Sequence, residues 1–460
     1  MHPDPPAPRT TLPRGLIVAA VVGGAWRVWM LLFRKWHRPL LLNDSLYYSA
    51  QARQLADGVF FREIFVDQPG AEHGPLTAVL MAPVSWIADP VPWQRFVTVL
   101  CGIATIVVIG VLAARLAGPL AAVCAGWIAA LYPNLWMNDG LVMSESVSVL
   151  LVAMFLVAMH GAVYDGSPRR AAVVGALVGL ATLARSELVL LAPGAALVLL
   201  LVDRGGHRTD DGADRRAGRA ELRRPAVLLV VAAIVVAPWV AFNLARFERP
   251  VTLSTNDGTT LLGTYCDRTF SGSQKGGWSL FCVTEDDPSY SADEEPSVRS
   301  ARQRSLAIAY ARGHLSELPG VVAARLGRTF DLYGLRSLVD QDVGEERSRW
   351  ASRTGILAWW MLAVVALFGF RRVRRRDRQI LLLPVVAVLV TTIVFYGGHR
   401  IRSSMEPTVV VFAATALAAW AKRNEETQPA IETATETATE TATETATETT
   451  AETTAETTAG

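Results

Sequence analysis

GLIVAAVVGGAWRVWMLLF, residues 15–33, is followed after a short basic stretch by PLLLNDSLYYSAQARQLADG, residues 39–58. The first segment is apolar for the length of a bilayer crossing. The second is amphipathic and sets one carboxylate, Asp44, ahead of two tyrosines. A chain that leaves the bilayer and at once lays an acid along its surface is organised around the membrane boundary.

The rest of the chain fits that class. Hydrophobic residues make up 51% of it, and further apolar runs occur at 94–115, 118–137, 141–163, 171–184, 187–202, 225–243, 355–370, 379–397 and 406–420. We therefore expect an all-α polytopic membrane protein with about ten transmembrane helices. The first run has basic residues ahead of it, is longer than a signal core and lacks a cleavage site, so it reads as a retained span. Net charge is only +2, but it is uneven, so nucleic acid is not an expected partner.

The unevenness sets topology. If the run at 75–90 is juxtamembrane or re-entrant, then Arg9, Arg14, Arg115, Arg169, Arg170, the loop 203–224, RRVRRRDR at 371–378 and Lys422/Arg423 share the cytoplasmic side. The division that follows is a cytoplasmic N-terminus (1–14), a transmembrane module (15–243) with an extracytoplasmic first loop (34–93), an extracytoplasmic loop (244–354), and C-terminal spans (355–420). The long loop carries an expected helix at 298–328, and the Thr/Glu-rich tail 421–460 is expected to be disordered in the cytosol. Cys266 and Cys282 share the outer loop, where an oxidising space permits a disulfide; two free thiols are the alternative.

Chemistry-bearing residues cluster on the outer side. Asp44 begins a short helix, as a cap or as an acid that holds a hydroxyl. Glu72-His73 suits a divalent metal, a phosphate, or a plain interface position. Glu145 stands at the outer end of a span. Arg185 interrupts the apolar stretch 171–202, where a charge needs protein or water beside it; an ion pair with Glu187 satisfies it equally well. Arg400 and Arg402 flank the next-to-last span, where snorkelling to head groups is the alternative role. Acids and arginines at the depth of lipid phosphates suit an acceptor hydroxyl on one side and a leaving phosphate on the other.

Five segments carry a family resemblance: NDSLYYSAQARQLADG, EHGPLTAVLMAP, YPNLWMNDGLVMSES, GLATLARSE and APWVAFNLARFERPVTLSTNDGTTLLG, together with the turn GGHRIRSSMEP. Their order resembles the GT-C glycosyltransferases that use polyprenyl-phosphate sugars, the superfamily of protein O-mannosyltransferases and lipid A aminoarabinose transferases. The likeness covers roughly residues 15 to 420. It departs at His73-Gly74-Pro75, often His-Pro-Pro in the family, and at Phe242-Asn243, often Arg-Asn. The resemblance implies a GT-C fold with Asp44 as catalytic acid, Glu72 and Glu145 as secondary acids, and His73, Arg185, Arg400 and Arg402 at the donor phosphate.

The implied activity is transfer of a sugar from a polyprenyl-phosphate donor to a hydroxyl acceptor in the envelope, at the extracytoplasmic face of the plasma (inner) membrane. No cofactor is required, and a divalent metal at Glu72 and His73 is an option. A transporter would also place charges at membrane depth, but the inverted halves it calls for are not evident. A catalytically inactive relative that binds lipid or glycan is the remaining alternative.

Overall fold

A computed structural model describes residues 12–207 and 215–424. The tail from residue 425, the first eleven residues and the centre of the arginine-rich loop lie outside the described residues. Within them the protein is helical, and the one β-bridge pairs Arg62 with Pro69.

Among the described residues, eight helices are long and apolar enough to cross a membrane: Arg14–Lys35, Val91–Ala117, Glu145–Asp165, Ser186–Arg204, Leu222–Leu244, Arg349–Arg372, Arg375–Val394 and His399–Asn424. Two further helices, Pro119–Leu131 and Pro168–Ala184, occupy the other expected positions. At 1.5 Å per residue they reach only about 20 and 26 Å, short of the roughly 30 Å hydrocarbon core. The runs at 118–137 and 141–163 therefore overstate their helices. Pro133 opens a separate turn after Leu131, and the chain winds from there to Ser144 before Glu145 starts the next helix.

Small residues let the helices close on one another. A Cβ at Gly175 would lie 2.3 Å from the Leu228 carbonyl oxygen, and one at Gly110 would lie 2.4 Å from the Leu16 side chain. Such contacts supply the packing that lipid cannot drive through hydrophobicity. The first span also buries Arg27, whose Nε donates to Asp139 at 2.6 Å. That pair holds the 132–144 turn against the bundle.

The run at 75–90 forms only the short helix Leu76–Met81 and a turn at Ala82–Val84, too short to cross. The segment between Leu244 and Arg349 is a set of short helices. Its expected 298–328 helix is two: Pro296–Gly313 and Leu318–Thr329, because Pro319 belongs in a first helical turn and cannot continue a helix across the break at His314. Cys266 and Cys282 form a disulfide with Cα atoms 6.2 Å apart.

Contacts give the bundle two unlike ends. Glu145, Arg185, Arg347 and Arg400 meet at one end. The helices that start or stop there run away to Arg115, Arg169, Arg170, Arg371–Arg378 and Arg423 at the other. The arginine clusters and the short helices between Leu244 and Arg349 thus cap opposite ends.

Candidate functional site

The helix Asp44–Ala56 lies at the end of the bundle where Glu145 and Arg400 meet. Its cap is Asn43, whose side chain accepts from Ser45 N at 2.9 Å, so Asp44 is the first helical residue rather than the cap. Its carboxylate is therefore free to face elsewhere. The turn after helix Leu335–Gly344 clamps this start: Asn43 Nδ2 donates to Gly344 O at 3.0 Å, and Glu346 accepts from Leu41 N at 3.1 Å and from Ser45 Oγ at 2.5 Å. Glu346 is fixed in turn by Arg95 at 2.9 Å.

Asp44 meets two cations, His73 Nε2 at 3.3 Å and Arg400. Burial pushes its carboxyl up, but Arg400 and His73 more than offset this and hold it well below the usual carboxylate range. His73 is placed by tyrosines: Tyr48 stacks on it with centroids 4.9 Å apart, and Tyr47 meets it edge-on at 5.4 Å. Tyr47 Oη also accepts from Glu72 N at 3.0 Å. This explains the paired tyrosines after Asp44. Gly74 serves packing, since a Cβ there would stand 2.3 Å from Leu183 O.

Glu72 stands with Asp44 and His73, one ligand atom from each lying within 4.8 Å of the others. Two carboxylates and an imidazole are a donor set that fits a divalent ion. Burial pushes the Glu72 carboxyl up, and burial followed by the neighbouring Glu72 charge pushes Glu63 up to about 7.

These groups border a cavity of about 1440 Å³ between the Asp44 helix, residues 63–72 and the segment between Leu244 and Arg349. Asp44, Glu63, Glu72, Tyr396 and Arg400 are on its wall. Behind Arg400 lies Glu145, 1% exposed, which accepts from Arg400 Nε at 2.7 Å and from Arg185 Nη1 at 3.1 Å. Arg185 also pairs with Glu187 at 2.7 Å. Glu145 and Arg185 thus stand behind Arg400 instead of on the cavity wall, and the Glu187 pair read from the sequence is present.

Arg402 points away from the cavity. It is fully buried and pairs with Asp331 at 2.6 Å and Glu406 at 2.8 Å. Adjacent His399 bridges Asp331 and Asp342, both at 2.7 Å. Arg347 links Asp342 to Glu145, at 3.3 and 3.8 Å, and also pairs with Glu345. Sequence reasoning passed over Asp331, Asp342, Arg347 and Glu63, because charges in a polar loop look like solvated surface. The one available signal was the density of acids and arginines between 331 and 347, just before a span.

Residues 72–242 match the profile of the family described as dolichyl-phosphate-mannose-protein mannosyltransferase. Lipid A galacturonosyltransferase RgtD of Rhizobium johnstonii is 27% identical over 160 residues, which are 34% of this chain and 30% of that protein. The apo oligosaccharyltransferase of Archaeoglobus fulgidus superposes with a TM-score of 0.52 at 15% identity, over 91% of this chain and 52% of that one. AglB of the same organism, solved with an inhibitory peptide and a dolichol-phosphate, gives 0.51 at 14% identity, over 91% and 51%. The chain spans 30% of the curated relative and about half of each solved structure. At such identities the structural likeness is one of fold, and the fold is the GT-C membrane fold.

Proposed function

We propose that the chain is an inverting glycosyltransferase that moves a sugar from a polyprenyl-phosphate donor to a hydroxyl acceptor of the cell envelope. The observation that carries this reading is the meeting of Asp44 and Arg400 on the wall of a large cavity at the outer end of the bundle. The matched family's description and the dolichol-phosphate held by AglB support a lipid-linked donor. The isoprenoid tail would stay among membrane lipids while the sugar–phosphate bond enters the cavity.

In the reaction, the acceptor oxygen attacks the anomeric carbon as the carbon–oxygen bond to phosphate breaks. The bonding electron pair leaves with the phosphate, and the acceptor's proton passes to a carboxylate. Asp44 is held too acidic to be a strong base, so it orients the hydroxyl and faces the positive charge that develops on the sugar. Glu72 and Glu63, whose carboxyls are pushed up, are the better proton acceptors. Arg400 turns toward the departing phosphate while Glu145 keeps its Nε in place; Arg185, held by Glu145 and Glu187, positions that pair, and His73 adds charge nearby. Arg402 anchors the same turn.

No cofactor is required by this scheme. A divalent ion held by Asp44, Glu72 and His73 would polarise the phosphate, and it stays optional. The arginine-rich end of the bundle supports cytoplasmic termini, and the disulfide supports an oxidising compartment for the cavity, outside the plasma (inner) membrane.

Deletion of the gene tests the reading. The expected result is loss of one envelope glycosidic linkage with accumulation of a polyprenyl-phosphate sugar. An unchanged glycan profile, together with no transfer by the purified chain, would refute it. An impermeant thiol reagent that labels a cysteine placed at position 376 but not one at 290 would reverse the orientation.

A further inference from the structure

One stretch of the cavity wall carries positive charge that no acid answers. Arg328, in the last turn of Leu318–Thr329, lines the cavity with the run Tyr333–Ser337. Its side chain is nearly sealed, at 2% exposed. Nη2 donates to Ser337 Oγ at 3.1 Å, Nε reaches Gly397 O at 3.4 Å, and Nη1 has no acceptor. No carboxylate pairs with it among the described residues, unlike Arg185, Arg347, Arg400 and Arg402.

Glycines make room around this guanidinium. A Cβ at Gly334 would stand 2.7 Å from Nη1, and one at Gly277 would stand 3.1 Å from Nη2. Arg336, exposed on the same run, also has no carboxylate partner among the described residues, and the nearby wall acids are taken: Asp340 by Arg349 at 2.7 Å, Glu345 by Arg347. A buried cation without an anion is costly. Arg325, one helical turn earlier, shows the structural solution at its two terminal nitrogens, where Nη1 donates to Ile393 O and the Tyr265 hydroxyl and Nη2 to Thr264 O. Arg328 lacks that solution and faces the cavity instead.

We infer that Arg328, Arg336 and Ser337 form a second oxyanion subsite, which binds a phosphate or carboxylate carried by the acceptor. This rests on the proposed transfer reaction: a donor linked through a single phosphate supplies one anion, and Arg400 beside Asp44 takes it. The second cationic wall calls for a second anion, and the acceptor is the substrate left to bring it. The acceptor class is therefore an acidic glycan or lipid rather than a neutral one.

The test uses the full chain in lipid nanodiscs with three probes: a polyprenyl phosphate, a hexose 6-phosphate and the matching neutral hexose. Wild type should bind the hexose 6-phosphate at least about tenfold more tightly than the hexose. Arg328→Gln should abolish that preference and Arg336→Gln should cut it roughly threefold, both leaving polyprenyl phosphate affinity within about twofold. Without ligand, Arg328→Gln should melt no lower than wild type, whereas a purely structural arginine would lower it. Arg336→Gln alters an exposed side chain, so the test survives if Arg328→Gln misfolds.

Equal binding of hexose and hexose 6-phosphate by wild type would overturn the subsite. Loss of polyprenyl phosphate binding in both variants, as in Arg400→Gln, would overturn the acceptor assignment and give this wall to the donor. If instead Arg400→Gln keeps full polyprenyl phosphate affinity, the donor site falls, and the hexose 6-phosphate comparison still decides the subsite.

Discussion

Arg400 and Arg402 leave one turn two residues apart and enter different surroundings. Around Arg402 every charge is answered: Asp331 and Glu406 flank its guanidinium, Thr329 O accepts at 3.0 Å, the Trp359 ring lies 4.3 Å away, and His399 ties Asp331 to Asp342. Around Arg400 the answers are incomplete. Asp44 keeps 23% of its side chain exposed, and Glu145 Oε2 is buried without a hydrogen-bond partner. Arg402 Nη2 is likewise buried without an acceptor, so what separates the two clusters is exposure: the one sealed from solvent fixes a backbone, and the one that opens on the cavity retains capacity for a ligand. The sealed cluster holds the turn so that the open cluster can exchange partners.

The largest expected effect would sharpen this contrast at the open cluster. Asp44→Asn should lower turnover at saturating donor by about a hundred- to ten-thousandfold while the protein still folds, its melt lowered by the lost pairs with Arg400 and His73 but its helix still capped by Asn43. Near wild-type turnover would move the catalytic role to Glu72. Next, Arg402→Ala should cost about 3–5 kcal/mol of stability, read as loss of folded protein in detergent, since it strands two buried carboxylates. Arg400→Ala should melt higher than Arg402→Ala yet bind a polyprenyl phosphate roughly ten- to a hundredfold more weakly, with Lys rescuing only in part. If the two alanine variants behave alike, the division between sealed and open clusters fails.

A smaller effect lies in pH. Glu63, pushed up to about 7, is protonated below that value and cannot then accept a proton. The transfer rate should rise through an apparent pKa near 7, and Glu63→Gln should remove or displace that limb. For stability the sign is opposite: a raised carboxyl favours the fold at low pH, and its contribution is lost as pH climbs from the ordinary glutamate range through 7. The smallest effect concerns metal. Dialysis against EDTA should change the rate by less than about twofold, and a larger fall restored by a divalent ion would make the Asp44–Glu72–His73 trio a required metal site.

The open cluster was the more legible of the two. Asp44 stands out because the helix it starts follows a span directly, and Arg185 and Glu145 stand out because charge inside apolar sequence is rare. Their neighbours emerge only in three dimensions. Arg402 shares its local pattern with Arg400, and nothing in an Arg-x-Arg spacing says that one side chain turns to Asp331, 71 residues earlier. Arg328 and Glu63 are hidden by the same ambiguity, since a loop charge reads as solvated until burial is known. The helices were legible from apolar runs, but their ends were not: Tyr132-Pro133 stops one and Pro319 starts another inside stretches whose average hydropathy or helix propensity runs on.

The clamp that Glu346 places on the start of the Asp44 helix bears on how the protein is made. Asp44 emerges from the ribosome long before the carboxylate that braces its helix, at residue 346, and the arginine that faces it, at residue 400. A nascent chain that has already threaded most of its spans into the membrane still lacks both. The cavity wall that Asp44 and Arg400 share is therefore completed only after residue 400 has been made, and a chain interrupted before residue 346 lacks both partners of the Asp44 helix.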